Sequence, residues 1–202
     1  MQTMKNKVVR RIARFGPGKA FVPKDFLNIA SRGTIDVALS SLVREGTIRR
    51  VRRGLYDKPR VSPTLGGVLS PDIDEAARAI ARRLRWKIVP DGAWAANLLT
   101  LSTQVPAKIV YLTDGPTRKI QIGRRTIYFK HARPQALAGS EGTSALVVQA
   151  LRHLGKNGVG RAEIRRLRKV LPEADRRKLV KATRFGADWI YEMTKRIARE
   201  PA

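Results

Sequence analysis

The chain has 202 residues, 43% of them hydrophobic, which is enough for one large or two small domains with buried cores and argues against a disordered chain. Forty-two Lys and Arg against sixteen Asp and Glu give a net charge of +26, and the absence of cysteine excludes disulfides and cysteine-ligated metal sites. Residues 1–60 carry +11 and the remaining residues +15, so the excess is not confined to one tail. Such a charge indicates a polyanionic partner, and nucleic acid is the usual one.

The N-terminal segment predicts a helix. Val8, Ile12 and Phe15 recur at helical spacing within residues 4–15, and Gly16-Pro17-Gly18 ends the pattern. Residues 20–22 then predict a short strand that pairs with a later hairpin. This segment lacks the pattern of a secretory signal, and no apolar run approaches the ~20 residues that cross a bilayer. We therefore expect a soluble, cytoplasmic protein with no membrane partner.

Residues 23–58 predict two helices joined by a tight turn. The first helix begins at Pro23, whose missing N–H needs no partner at a first helical position. Gly33 is expected to provide a left-handed turn, and Thr34 to cap the second helix. The apolar residues expected to face inward are Phe26, Leu27 and Ile29 in the first helix, and Ile35, Ala38, Leu39 and Leu42 in the second.

A basic hairpin follows Gly46. Residues 47–51 and 55–58 predict its two strands, with a turn at Arg52-Arg53-Gly54, and the spacing of Ile48 and Val51 predicts a β-bulge in the first strand. Two helices followed by such a hairpin form a winged helix-turn-helix. In that fold the second helix enters the major groove of DNA, and the hairpin reaches phosphates or the minor groove.

Two sets of residues are therefore expected to contact DNA. They are Arg32, Thr34, Asp36, Val37, Ser40, Ser41 and Arg44 on the recognition helix, and Arg49, Arg50, Arg52 and Arg53 on the wing. The alternative is a protein-binding winged helix whose arginines are only solvated. Four arginines within five residues repel one another strongly, which favours a polyanionic ligand.

Residues 61–70 contain two glycines, a proline and no charge, which predicts a linker between a winged domain of residues 1–60 and a C-terminal domain of residues 71–202. The sequence of the C-terminal domain predicts one helix, then short strands that include a hairpin, and then only helices. The predicted elements are helices over 71–86, 92–101, 143–154, 161–171, 172–185 and 187–199, and strands over 87–89, 108–113, 118–122 and 125–131. The predicted fold class is α+β, a winged helix-turn-helix followed by a mixed domain with a small antiparallel sheet and a helical C-terminus.

The C-terminal domain also carries dense basic stretches. These predict a second DNA-binding surface formed by Arg118, Lys119, Arg124, Arg125, Lys130, Arg133, Arg165, Arg168 and Lys169. A solvated surface is the alternative interpretation.

The sequence contains few of the residue patterns that indicate catalysis. The two histidines, His131 and His153, fall in unrelated elements, and there is no phosphate-binding glycine loop followed by Lys-Ser/Thr. Asp72 and Asp74, after Gly66-Gly67 and Ser70, look like the magnesium-binding carboxylates of nucleotidyltransferases. They open a helix, however, and helix capping explains them better. We expect no enzyme activity, no metal site and no cofactor.

The chain resembles the AbiEi-type antitoxins of bacterial abortive-infection and toxin–antitoxin systems. The resemblance lies in LVREGTIRRVRRGLYDKP (Leu42 to Pro59) and in residues 90–134, above all AANLLTLSTQVPAK, and more loosely in ALRHLGKNGV and Ala187-Asp188-Trp189-Ile190. It implies a cytoplasmic, nucleoid-associated repressor that binds repeats in its own promoter. It also implies an antitoxin that opposes a nucleotidyltransferase-like toxin without requiring a direct complex.

Two other functions stay open. An RNA- or ribosome-associated factor is compatible with the charge but needs exposed aromatic platforms, and Phe, Tyr and Trp make up only 6% of the chain. A nuclease or transferase with a DNA-binding domain is disfavoured because an acidic or histidine cluster is missing. Binding assays against duplex DNA, structured RNA and single strands distinguish an RNA-associated factor from a repressor. Metal-dependent turnover of a labelled substrate tests for a nuclease or transferase.

Overall fold

The computed structural model describes residues 4–64, 66–104, 106–133, 137 and 142–199, so the outermost residues of both predicted domains lie outside the described part. Over these ranges the fold is α+β, as predicted, with small antiparallel sheets and a helical C-terminus. Its α-helices are α1 Met4–Phe15, α2 Arg32–Arg44, α3 Ile73–Leu84, α4 Gly92–Leu98, α5 Thr143–Leu154, α6 Arg161–Val170, α7 Glu173–Thr183 and α8 Asp188–Ala198. None of the helices in the described ranges is long and apolar enough to cross a membrane.

The strands form three sheets. They are β1 Ala20–Phe21, β2 Arg49–Arg52, β3 Leu55–Asp57, β4 Val61–Ser62, β5 Gly67–Val68, β6 Ile88–Pro90, β7 Ile109–Thr113, β8 Arg118–Ile122 and β9 Arg125–His131. The sheet orders are β1-β3-β2, β4-β5 and β6-β7-β9-β8. The β8–β9 hairpin has the predicted bounds, because Ile120, Ile122, Ile127 and Phe129 are buried and alternate with more exposed polar residues.

The N-terminal elements have the topology of a winged helix. Helix α1 and strand β1 precede α2, and β2 and β3 form the wing hairpin, with β1 antiparallel to β3 as the third strand. The predicted bulge is present, since the β2–β3 register shifts between Arg50 and Arg52. The core of this unit contains Val8, Ile12, Phe21, Phe26, Ile35, Ala38, Leu39, Leu42, Ile48 and Tyr56.

The start of the helix-turn-helix differs from the prediction. Pro23–Phe26 is a 3₁₀ helix followed by a turn, and Leu27, expected to face inward, is half exposed. Helix α2 begins at Arg32 because Ser31, and not Thr34, is its N-cap: the Ser31 hydroxyl accepts a hydrogen bond from the Thr34 amide at 3.4 Å. Gly33 therefore lies in the first turn of the helix and forms no left-handed turn, so that expectation was wrong.

The division of the chain also differs from the predicted boundary at residues 61–70. One compact unit comprises Met1–Trp86 with Ile120–Ile127, and the other Lys87–Lys119 with Tyr128–Ala202. Helix α3 belongs to the first unit because it packs on β1 and β3. Residues expected to form only a linker include the β4–β5 hairpin.

The second unit buries an independent core between α4 and the C-terminal helices. Its central side chains include Leu99, Leu151, Leu167, Leu179 and Ile197, all at most 2% exposed. Trp94 and Tyr111 are also buried in this unit, and the Trp94 Nε1–H donates to the Tyr111 hydroxyl at 2.9 Å. The second unit thus has the buried core that an autonomous domain requires.

Candidate nucleic-acid interface

A groove of about 530 Å³ lies between the recognition helix and the wing. Its lining residues are Arg32, Asp36 and Ser40 from α2, Arg50, Arg52, Arg53, Gly54 and Tyr56 from the wing, and Arg83 from α3. Five of these nine carry a guanidinium group, and the single acid, Asp36, accepts a hydrogen bond from Arg32 Nε at 2.9 Å. The groove is therefore strongly positive, and its one carboxylate is already neutralised locally.

Three wing arginines project from the hairpin. Arg50, Arg52 and Arg53 are exposed, and their guanidinium groups form no hydrogen bond or ion pair with any described residue. Arg50 and Arg52 are two residues apart on β2, so both can line the groove, and the β2–β3 register shifts between them. Arg53 lies at the turn, as predicted. These unpaired charges are available to an external anion.

The sequence did not reveal the contribution of α3 to this groove. Arg83 lies at the end of α3, and its Nη1 donates to the backbone carbonyl of Arg53 at 3.4 Å. The approach is close because the turn residue is Gly54: its φ is +71°, and a Cβ there would lie 3.3 Å from Arg83 Nη1. In turn, Lys24 Nζ donates to the Arg83 carbonyl at 3.0 Å. Arg83 thus supports the wing turn and adds a fifth positive charge.

Arg49 differs from the other wing arginines. Its Nε and Nη2 donate to the two carboxylate oxygens of Asp57 at 3.0 and 2.6 Å, and its Nη1 donates to the Leu69 carbonyl at 2.9 Å. Asp57 is only 2% exposed, so the pair is largely desolvated. This guanidinium is engaged within the fold, which makes Arg49 the wing arginine least available to DNA.

Several predicted residues of the recognition helix already have partners. The Thr34 hydroxyl lies 3.0 Å from that of Ser31, and the Ser41 hydroxyl donates to Glu45 Oε1 at 2.6 Å. Glu45 also accepts a hydrogen bond from Lys5 of α1. The hydrogen bond from Lys5, which has the larger effect, and that from Ser41 hold the pKa of the Glu45 carboxyl below its ordinary value. Val37, Ser40 and Arg44 remain exposed on the outer side of α2.

The predicted C-terminal basic residues are divided between the two units. Arg124 and Arg125 fall in the first unit, and the remaining seven fall in the second. Lys119 lies over the Tyr128 ring at 5.6 Å, and Lys119, Lys130 and Arg133 are exposed. On α6, Arg165 and Lys169 are exposed, whereas Arg168 is half-buried and donates to the Arg196 carbonyl. Arg168 therefore has a structural partner.

Asp72 and His131 have hydrogen-bond partners within the fold. The Asp72 carboxylate accepts hydrogen bonds from the amides of Asp74 and Glu75 at 3.0 and 3.1 Å, which confirms its predicted capping role. His131 Nδ1 lies 3.0 Å from the Gly115 carbonyl. Within the described residues, no three acidic, histidine or cysteine side chains are grouped to hold a metal ion.

Comparison with known proteins places the chain in a family. A family model described as "Family of unknown function (DUF6088)" matches residues 7–179. The chain belongs to this family. The DUF6088 match spans the winged helix, the groove and most of the second unit. Comparison with curated proteins gave no match. Among solved structures, the RV2827C protein from Mycobacterium tuberculosis is similar, with 17% sequence identity and a TM-score of 0.40 over 98% of this chain and 77% of that one.

Proposed function

We propose that the protein binds double-stranded DNA through α2 and the wing and acts as a transcriptional repressor. The observation that carries this proposal is the groove between them, where five guanidinium groups face one carboxylate that is already paired. Like charges held this close repel one another, and a phosphate backbone relieves that repulsion by replacing condensed counterions. A polyanion in the groove would therefore offset the repulsion among these guanidinium groups.

The shape of the groove supports a duplex over a small anion. A bound phosphate ion needs converging donors, whereas Arg50, Arg52 and Arg53 extend along an open hairpin. An exposed helix beside a basic hairpin is the arrangement that a winged helix-turn-helix needs to place the helix in a major groove and the hairpin on nearby phosphates. The helix would read base edges, and the hairpin would set the position of the protein on the duplex.

The regulatory and antitoxin roles rest on the resemblance to AbiEi-type antitoxins. We propose that the protein binds repeats in its own promoter, represses that operon, and opposes a nucleotidyltransferase-like toxin encoded with it. In this role it has no catalytic activity of its own and associates with the nucleoid. The exposed basic residues of the second unit, Lys119 and Lys130 among them, would add phosphate contacts or serve the antitoxin role.

One observation favours a second candidate, the binding of single-stranded RNA. Phe185, between α7 and α8, is 94% exposed, and the Arg184 guanidinium lies 5.6 Å from its ring centre. An exposed aromatic ring beside an arginine is a platform on which an unpaired base can stack. A single platform is weaker support than the groove, so duplex DNA remains the first proposal.

A binding panel with the full chain separates the two candidates. Its own promoter duplex, a scrambled duplex, a single strand and a hairpin RNA would be titrated at one salt concentration. Tightest binding to the promoter duplex is the expected result. The proposal fails if single strands or RNA bind more tightly and Phe185→Ala abolishes that preference. Comparable binding to both duplexes would retain DNA binding but remove the repressor role.

A further inference from the structure

The outer edge of the recognition helix consists of Gly33, Val37, Ser40 and Arg44. Successive residues of an α-helix are rotated by about 100°, so these four lie on the side opposite the buried stripe of Ile35, Ala38, Leu39 and Leu42. All four are exposed, and Val37 is 69% exposed. This outer edge is the part of α2 that would enter a major groove most deeply.

The polar groups beside this outer edge are largely engaged within the protein. Asp36 is paired with Arg32, Ser41 donates to Glu45, and the Thr34 hydroxyl is paired with Ser31. Along the outer edge itself, Ser40 and Arg44 alone can offer a polar side chain to a base. At its centre the helix presents the branched apolar side chain of Val37.

Gly33 leaves the outer edge without a side chain at the N-terminal end of α2. A glycine there is not required by the fold, because its φ is not positive and a Cβ would meet nothing within 4 Å. Glycine lowers helix stability relative to alanine, so at this position it works against the fold. Its missing side chain instead lets the first turn of α2 approach another surface closely.

We propose that Val37 contacts the C5-methyl group of a thymine in the major groove, so that the protein selects sites with thymine at that position. Thymine alone presents a methyl group in the major groove, and an apolar side chain is its physical complement. A duplex that lacks this methyl leaves Val37 facing water or polar base atoms. This inference rests on the proposed DNA binding and adds to it the recognition of one base, thymine, by Val37.

The test uses duplexes enriched by the full-length protein from a randomised pool. Each thymine of the enriched site is replaced singly by uracil, which removes only the methyl group. We expect at least one replacement to weaken binding of the wild type about three- to fivefold, the effect of one buried methyl. Val37→Ala should bind thymine and uracil at that position equally. Val61→Ala, at a 67% exposed valine in β4, is the matched control and should retain the wild-type preference.

The outcomes separate the inference from the proposed function. If the wild type binds the enriched duplex but tolerates uracil at every position, the thymine contact is excluded and DNA binding stands. If Val37→Ala keeps the preference for thymine, another residue reads the methyl and the inference is overturned. If the full-length protein binds no duplex at all, the proposed function fails as well. The uracil arm needs no protein variant, so it can overturn the inference even if Val37→Ala folds poorly.

Discussion

Arg49 and Asp57 face each other across the two wing strands and form a bidentate ion pair, with Nε–Oδ1 and Nη2–Oδ2 distances of 3.0 and 2.6 Å. Asp57 is 2% exposed and Arg49 is 29% exposed, so the carboxylate has little access to water. The third guanidinium nitrogen binds the Leu69 carbonyl and thereby joins the wing to the segment after β5. This one arginine of the wing therefore stabilises the fold.

Replacing Arg49 should consequently destabilise the protein. Arg49→Ala leaves a buried carboxylate without its partner, and we expect a loss of about 2–3 kcal/mol in the free energy of unfolding, measured by urea denaturation. Arg50→Ala is the matched control, because its side chain is exposed and unpaired within the described residues. The control should change stability by less than about 0.5 kcal/mol. Equal stability of the two variants would contradict the assignment.

Arg83 should contribute to binding although it lies outside the helix-turn-helix. Arg83→Ala removes a charge from the groove and the hydrogen bond to the Arg53 carbonyl. We expect weaker duplex binding and a salt dependence reduced by roughly 0.9 for one lost phosphate contact. The charge-matched control is Arg152→Ala, at an exposed residue of α5. If both variants bind alike, Arg83 does not belong to the interface.

Gly33→Ala should change stability and binding in opposite directions. The added methyl meets no neighbour within 4 Å, so the free energy of unfolding should rise slightly, by up to about 1 kcal/mol. The same methyl stands on the outer edge of α2, where it would hinder close approach to DNA, so affinity should fall. Thermal melting and anisotropy titration measure the two effects. Unchanged affinity would show that the first turn of α2 does not approach DNA.

Glu45 should make stability depend on pH. Hydrogen bonds from Lys5 and Ser41 lower the pKa of its carboxyl below the ordinary value of 4.5, so the charged form is favoured in the folded state. This contribution is present above pH 4.5 and is lost as the pH falls through the lowered pKa of the folded state. The stability difference between wild type and Glu45→Gln should therefore shrink in acid. A difference that stays constant from neutral to acidic pH would exclude this role.

Much of the fold could be predicted because the spacing of apolar residues and the positions of glycine and proline indicate the same element boundaries. Helix α1 has its predicted ends, since the apolar spacing stops at Gly16, and the β8–β9 hairpin follows from strict alternation. The start of α2 was harder to place because Ser31 and Thr34 are both competent caps. The backbone at Ser31 is extended, and that conformation selects it as the cap.

The groove could be predicted only in part. Clustered arginines identified the wing, but the sequence does not distinguish Arg49 from its neighbours, because Asp57 becomes its partner only when β2 and β3 pair. Arg83 was missed because the uncharged segment of residues 61–70 predicted a boundary before α3. The packing of α3 on β1 and β3 is a long-range contact that no local pattern encodes.

The proposed contact between the wing arginines and DNA phosphates is tested most directly by the salt dependence of duplex binding. The full-length protein, Arg52→Ala/Arg53→Ala, and the charge-matched control Arg152→Ala/Lys156→Ala would each be titrated with the promoter duplex over a range of salt concentrations. Because each phosphate contact contributes roughly 0.9 to the slope of log K against log salt, the wing variant should lose up to about 1.8 while the control keeps the wild-type slope. A wing variant with an unchanged slope would contradict the account.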